Sequence, residues 1–233
     1  MHNQLRITTS DGAFIAYIAR PRVLPAPAVV VIHEVFGVNA DMRQSCDELA
    51  AKGYLAISPD LFWRQEPGVD MTDQTEVERA KALALYNAFD LDAGVRDIVA
   101  TLEAARALPD ATGRVGVVGY CLGGLLTYLT AARVGVDAAV AYYPGNADKH
   151  LEEAGGVHSP MLIHLAQEDE YIPAEAQQKI TTALQDLSQV QVYNYPGCHH
   201  AFARHRGISY DAEAAALANG RTDAFLALYL KKS

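Results

Sequence analysis

Apolar residues along the chain gather in short continuous runs, separated by longer stretches where apolar and polar positions mix. "AVVVIHE" at 28–34, "YLAISPD" at 54–60, "GRVGVVGY" at 113–120, "DAAVAYYP" at 137–144 and "SPMLIHLAQED" at 159–169 are such runs. Strands buried on both faces of a parallel sheet read this way. "VQVYNYPG" at 190–197 alternates and predicts another strand, and "QLRITTSDGAFIAYIAR" at 4–20 predicts two strands about Ser10-Asp11-Gly12, a hairpin signal. Between the runs, helices are predicted at 40–52, ended by Gly53, and over Thr72–Leu108 as two helices broken near Asp90. Asp90 and Asp92 are both candidate caps for the second of these. Further helices are predicted at 122–133, at 173–187 with Pro173 in its first turn, and from Tyr210 to the end. Residues 61–71, with the only Trp, Trp63, read as an irregular loop. Strands alternating with helices predict an α/β fold, a mostly parallel central sheet with helices on both faces. No linker or repeat interrupts the pattern, so 1–233 is expected to be a single domain.

Composition narrows the function classes. Half of the 233 residues are apolar and a fifth are charged, which argues against disorder. The formal charge of −9 offers no basic field for nucleic acid. No apolar run reaches the ~20 residues of a membrane span, and "MHNQLRITTSDG" lacks the apolar centre of a signal peptide. The expectation is a cytoplasmic protein that binds neither nucleic acid nor membrane. Three cysteines, Cys46, Cys121 and Cys198, make an odd count without a CxxC pair, so neither a disulfide framework nor a zinc ribbon is suggested.

The chemistry concentrates at "VGYCLGG", 118–124. Gly119-Tyr120-Cys121-Leu122-Gly123 has the G-x-nucleophile-x-G form, between a predicted strand and a predicted helix. Such a turn raises the nucleophile at the carboxyl end of the sheet, beside a helix N-terminus whose partial positive charge favours a thiolate. The Leu122 N–H then points to where an oxyanion forms. The bland alternative is a buried cysteine filling a glycine-rich turn. Its partners decide. A thiol nucleophile needs a base and a group that orients the base, and Asp169 and His200 follow Cys121 in that order, each just after a predicted strand. Two rival histidines stand nearby. His199 is adjacent to His200 and points elsewhere, and His164 sits inside an apolar strand as a core histidine. A metal site at Cys198-His199-His200 is disfavoured because consecutive side chains diverge, and "HEVFG" is not HExxH, since position 37 is Gly.

These segments resemble the dienelactone hydrolase (carboxymethylenebutenolidase) family of α/β-hydrolases, which act in aromatic and chloroaromatic breakdown. The likeness runs nearly end to end: "HEVFG" at 33–37, "VERA" at 77–80, "AFDLDAG" at 88–94, "GRVGVVGYCLGG" at 113–124, "AYYPG" at 141–145, "QEDEYIPA" at 167–174, "GCHHAFAR" at 197–204 and "AAALANGRT" at 214–222. The resemblance implies an α/β-hydrolase fold and a Cys121, Asp169, His200 triad. The family's Gly-His-x-Phe-Ala-Arg is matched with one extra residue, and the spacing to Phe202 selects His200 over His199. It implies that Glu34 activates the thiol, that the Val35 N–H is the second oxyanion donor, and that Arg79 and Arg204 hold a substrate carboxylate. Phe36, Tyr86, Tyr142 and Tyr171 are expected as pocket walls, with core packing as the alternative for each. Leu83 and Tyr86 stand where the family suggests an aromatic residue and a tryptophan, so substrate preference is expected to differ.

The expected reaction is hydrolysis of a carboxylated unsaturated lactone to an open-chain keto diacid such as maleylacetate, by a monomer, with no metal or organic cofactor. The alternatives are a broad carboxylesterase or thioesterase with the same triad, a non-catalytic relative, and a redox protein using Cys121.

Overall fold

The computed structural model describes residues 3–231. The chain divides after Val117 into two compact units. In the first, β1 (Gln4–Thr9) and β2 (Gly12–Ala19) form the predicted hairpin, with Thr9 paired to Gly12 across the turn. β2 runs antiparallel to β4 (Leu55–Pro59), and β4 lies parallel to β3 (Ala26–Ile32), Ala28 facing Leu55. Every residue of β3 and β4 is buried, which is why both read as unbroken apolar runs.

The helices of this unit begin where side chains satisfy their first N–H groups. α1 (Ala40–Ala51) starts at Asn39, whose side chain accepts from the Met42 N–H, and it packs on β2, β3 and β4. α2 (Glu76–Asn87) opens on Thr75, which accepts from the Glu78 N–H. α3 (Leu91–Arg106) is capped by Asp90, not Asp92, through the Ala93 N–H at 3.0 Å, and it packs on β1, β3 and β4. The irregular loop at 61–71 is pinned to α3. The Trp63 indole N–H donates to Asp97 at 2.9 Å, and Arg64 reaches both oxygens of that buried carboxylate while also pairing with Asp11. His33 is structural too: its ring accepts from the Leu61 N–H at 3.0 Å, and burial lowers its pKa.

β5 (Ala111–Tyr120) carries the chain across the division. The second unit then runs α4 (Leu122–Arg133), β6 (Ala138–Tyr142), β7 (Met161–Ala166), α5 (Ala174–Leu184), β8 (Val190–Tyr195) and α6 (Ala212–Leu230). β6, β7 and β8 are parallel, with Tyr142 beside His164 and His164 beside Tyr193. α4 packs on β6, and α6 on β6 and β7. Two 3₁₀ segments, 147–149 and 151–156, lie between β6 and β7 without a periodic apolar signal to announce them. Pro173 caps α5 from an extended conformation instead of entering it, and the helix ends at Leu184, three residues short of the expected end. Parallel strands alternating with helices, and an antiparallel hairpin at the start, make the α/β class the apolar pattern predicts. Among the described residues no helix is long and apolar enough to cross a membrane.

Two features of the second unit fix its interior. At the β5–α4 turn there is no room for side chains. A Cβ on Gly119 would lie 2.0 Å from the Gly123 carbonyl oxygen and 2.4 Å from Thr127 Oγ1, and one on Gly124 would lie 2.6 Å from the Tyr142 carbonyl. Under α6, a buried polar chain joins Tyr195 Oη to His164 Nδ1 (2.7 Å), His164 Nε2 to Thr222 Oγ1 (3.0 Å) and Thr222 Oγ1 to the Tyr142 hydroxyl (2.6 Å). Burial, with Arg221 nearby, lowers the His164 pKa to about 3. His164 therefore stays neutral in the fold while an exposed imidazole, with a pKa near 6.5, takes up a proton.

Gly119→Ala is expected to destabilise the protein by about 3 kcal/mol or more, because backbone on both sides must shift; chemical denaturation measures it. The neutral burial of His164 contributes stability that is whole above pH ~6.5 and is lost as pH falls toward about 3. Thermal melts from pH 7 to 4 should fall less steeply for His164→Gln than for the natural chain, and equal slopes would exclude this histidine as a source of acid lability.

Candidate active site

The second unit brings Cys121, Asp169 and His200 together. Each lies just past the carboxyl end of a strand, after β5, β7 and β8. Cys121 has φ 54° and ψ −112°, a left-handed conformation costly for a residue with a Cβ. The surroundings hold it there. Its N–H donates to the Tyr142 carbonyl at 3.1 Å, and its carbonyl accepts from Leu125 at 3.0 Å. Leu122 opens α4, so its N–H has no acceptor within the helix and is free in direction to meet an oxyanion.

Cys121 differs from the other two thiols in its surroundings. Burial, with Asp47 beside it, pushes the Cys46 thiol far up, and burial raises Cys198. Both are buried and stay protonated, whereas Cys121 is partly accessible. No disulfide joins any of the three.

Asp169 is almost wholly buried and is held by main-chain donors, the Tyr171 N–H at 2.8 Å and the Ile172 N–H at 3.0 Å. Its two oxygens accept from His200 Nδ1 at 2.8 and 3.0 Å. Burial alone would lower the His200 pKa, but Cys121, by charge interaction and a loose hydrogen bond, and the Asp169 carboxylate outweigh it and raise the pKa to about 10. Nε2 is buried and has no hydrogen bond of close geometry among the described residues.

Aromatic rings flank the imidazole. Tyr143 lies 5.0 Å away by ring centroids and Tyr171 4.8 Å, the latter edge to face and 73% exposed. Tyr171 thus stands beside His200. The expectation for Tyr142 is corrected. It is fully buried, stacks on Tyr120, and bonds Asn219 and Thr222 through its hydroxyl, so it is core. Its neighbour Tyr143 faces His200 instead. The sequence offers both tyrosines in one apolar run, and only the φ of 36° at Tyr143 turns the second toward the triad. Arg204 is buried four residues beyond His200, and His199 is exposed with its ring on Glu170.

The remaining expected residues lie in the first unit. Glu34 is buried just after β3, with Val35 half-buried and Phe36 buried behind it. Arg79 is exposed on α2 and donates to the Asp73 carbonyl at 2.6 Å; Tyr86 is half-buried on the same helix.

Comparison with known proteins accords with this geometry. The model of the dienelactone hydrolase family matches residues 14–230. A carboxymethylenebutenolidase from Pseudomonas putida is 43% identical over 224 residues, covering 96% of this chain and 95% of its own. Carboxymethylenebutenolidase 1 from Cupriavidus pinatubonensis is 36% identical, covering 94% and 93%. A Klebsiella pneumoniae crystal structure, provisionally assigned as a dienelactone hydrolase, superposes with a TM-score of 0.86 at 28% identity, covering 97% of this chain and 98% of that one. With an α/β fold, a cysteine at the strand–helix turn and a family match over most of its length, this chain belongs to the dienelactone hydrolase family.

Proposed function

We propose that the chain hydrolyses a carboxylated unsaturated lactone, 4-carboxymethylenebut-2-en-4-olide or a chlorinated analogue, to maleylacetate through a cysteinyl acyl-enzyme, in the breakdown of aromatic compounds. The observation that carries the reading is the buried His200 imidazole, hydrogen-bonded to Asp169 at Nδ1 and near enough to Cys121 for the two to interact.

In this reading Cys121 Sγ attacks the lactone carbonyl, and the oxyanion forms against the Leu122 N–H at the start of α4. The acyl C–O bond of the ring breaks, and the leaving group is an enolate, which needs less help from an acid than an alkoxide does. Acylation turns the thiolate into a neutral thioester. The charge that held the His200 pKa near 10 is then gone, so the imidazolium gives its Nε2 proton to the departing enolate, which becomes the enol, and the imidazole is left neutral. It is then a base at the moment a water must be deprotonated to cleave the thioester. Water adds its oxygen to the acyl carbon and its proton passes to Nε2; the C–S bond breaks to return the thiolate beside the imidazolium, and the enol product relaxes to the ketone. Every group in this sequence belongs to the chain, and no cofactor takes part.

Arg204, buried four residues beyond His200, keeps the carboxylate-holding role that the resemblance implies for it. Glu34, Val35, Phe36, Arg79 and Tyr86 keep, as part of this proposal, the roles the resemblance implies for them. A broad esterase using the same triad is the second reading, favoured by the exposed Tyr171 ring beside the imidazole.

Steady-state assay of cis- and trans-dienelactone against p-nitrophenyl acetate decides between them. The lactones should be preferred in kcat/KM, and a preference for the neutral ester would sink the first reading. Cys121→Ser should lower kcat/KM by roughly a thousandfold or more with the melting temperature kept. Arg204→Ala should raise KM for the carboxylated lactone about tenfold or more, the worth of a charge-assisted bond, while changing KM for p-nitrophenyl acetate by less than threefold.

A further inference from the structure

The segment that carries the triad acid grips the segment that carries the triad base at three successive residues. The Glu168 N–H donates to the Cys198 carbonyl at 2.9 Å. The Asp169 carboxylate accepts from His200 Nδ1. Glu170 then spans both remaining positions, with Oε1 3.0 Å from His199 Nδ1 and Oε2 accepting from the His200 main-chain N–H at 3.3 Å.

The second segment needs such a hold. It leaves β8 through Gly197 at φ 73° and passes His200 into Ala201 at φ 63°, a left-handed residue with a Cβ. No sheet ladder reaches it, since β8 ends at Tyr195. Burial works against charge on Glu170, but its own N–H, the His200 N–H and the His199 ring outweigh that and lower its pKa. The carboxylate is thereby kept ionised, as an acceptor on both oxygens.

We propose that Glu170 is a positioning residue: by holding the His200 main chain directly and the loop through His199, it keeps the His200 imidazole aligned between Asp169 and Cys121. Asp169 fixes one ring nitrogen. The Glu170 carboxylate adds to that hold by fixing the backbone from which the ring hangs. His199, set aside as the wrong histidine for catalysis, acquires a use as the second anchor. The inference rests on the hydrolase reading only for its effect on turnover; the effect on the sulfur–imidazole pair stands apart from it.

The test compares Glu170→Ala, Glu170→Gln and His199→Ala in the full chain by two readouts, kcat and KM on dienelactone and the rate at which iodoacetamide alkylates Cys121, followed by intact mass. A misaligned base should cost kcat about tenfold in Glu170→Ala, as small displacements of a reacting group do, with KM within twofold. Alkylation should slow severalfold, because the imidazolium no longer stabilises the thiolate. Glutamine keeps an acceptor for the His200 N–H and should restore both to within threefold of the natural chain, with His199→Ala between the extremes. A loss that appears equally in KM, or that glutamine does not rescue, would make Glu170 a merely structural residue and overturn the proposal; so would kcat and alkylation both unchanged in Glu170→Ala. Slowed alkylation in a chain that turns over no lactone at all would refute the hydrolase reading and leave the positioning role standing.

Discussion

A buried imidazole held on one nitrogen by a carboxylate, with a sulfur acting on the same ring, is the constraint on which the second unit is organised. The Asp169 carboxylate accepts from His200 Nδ1, and Cys121 and Asp169 together raise the His200 pKa to about 10 against burial. Burial opposes a charged ring, so its charge depends on both partners staying in place. Asp169 is in turn tied to the main chain at Tyr171 and Ile172.

Holding these groups requires backbone that a relaxed chain avoids. Three of the four non-glycine residues with positive φ among the described residues are Cys121, Tyr143 and Ala201, all in or beside the triad. Such strain persists only where the surroundings over-determine it. Here the surroundings are the buried β6 and β7, the close contact of Gly119 with Gly123, and the hydrogen-bonded chain from Tyr195 through His164 and Thr222 to Tyr142. The Tyr142 carbonyl accepts the Cys121 N–H, so the polar chain beneath α6 ends at the residue that holds the Cys121 backbone.

The three cysteines show how place decides reactivity. Burial, with a carboxylate nearby in each case (Asp47 and Asp211), keeps the Cys46 and Cys198 thiols protonated. Cys121 is partly open, at a helix start, with a protonated imidazole near it. Composition treats the three alike; the electrostatic environment does not.

The sequence by itself determined the sheet strands, the helices between them and the succession Cys121, Asp169, His200 along the chain. Strands buried on both faces must be apolar throughout, the G-x-C-x-G turn needs its glycines for lack of space, and a thiol hydrolase needs an acid and a histidine downstream. It also separated His164, enclosed in an apolar run, from His200. The tertiary structure decided what depends on angle instead of spacing. Tyr142 and Tyr143 are adjacent, alike and both fully buried, yet the first bonds Asn219 and Thr222 while the second lies against the His200 imidazole. Pro173 was expected inside α5 and stands outside it, since its ψ of 161° is extended. The hold of Glu170 on His199 and His200 joins residues about thirty positions apart, and no local period or spacing records a contact that exists only once the two loops meet.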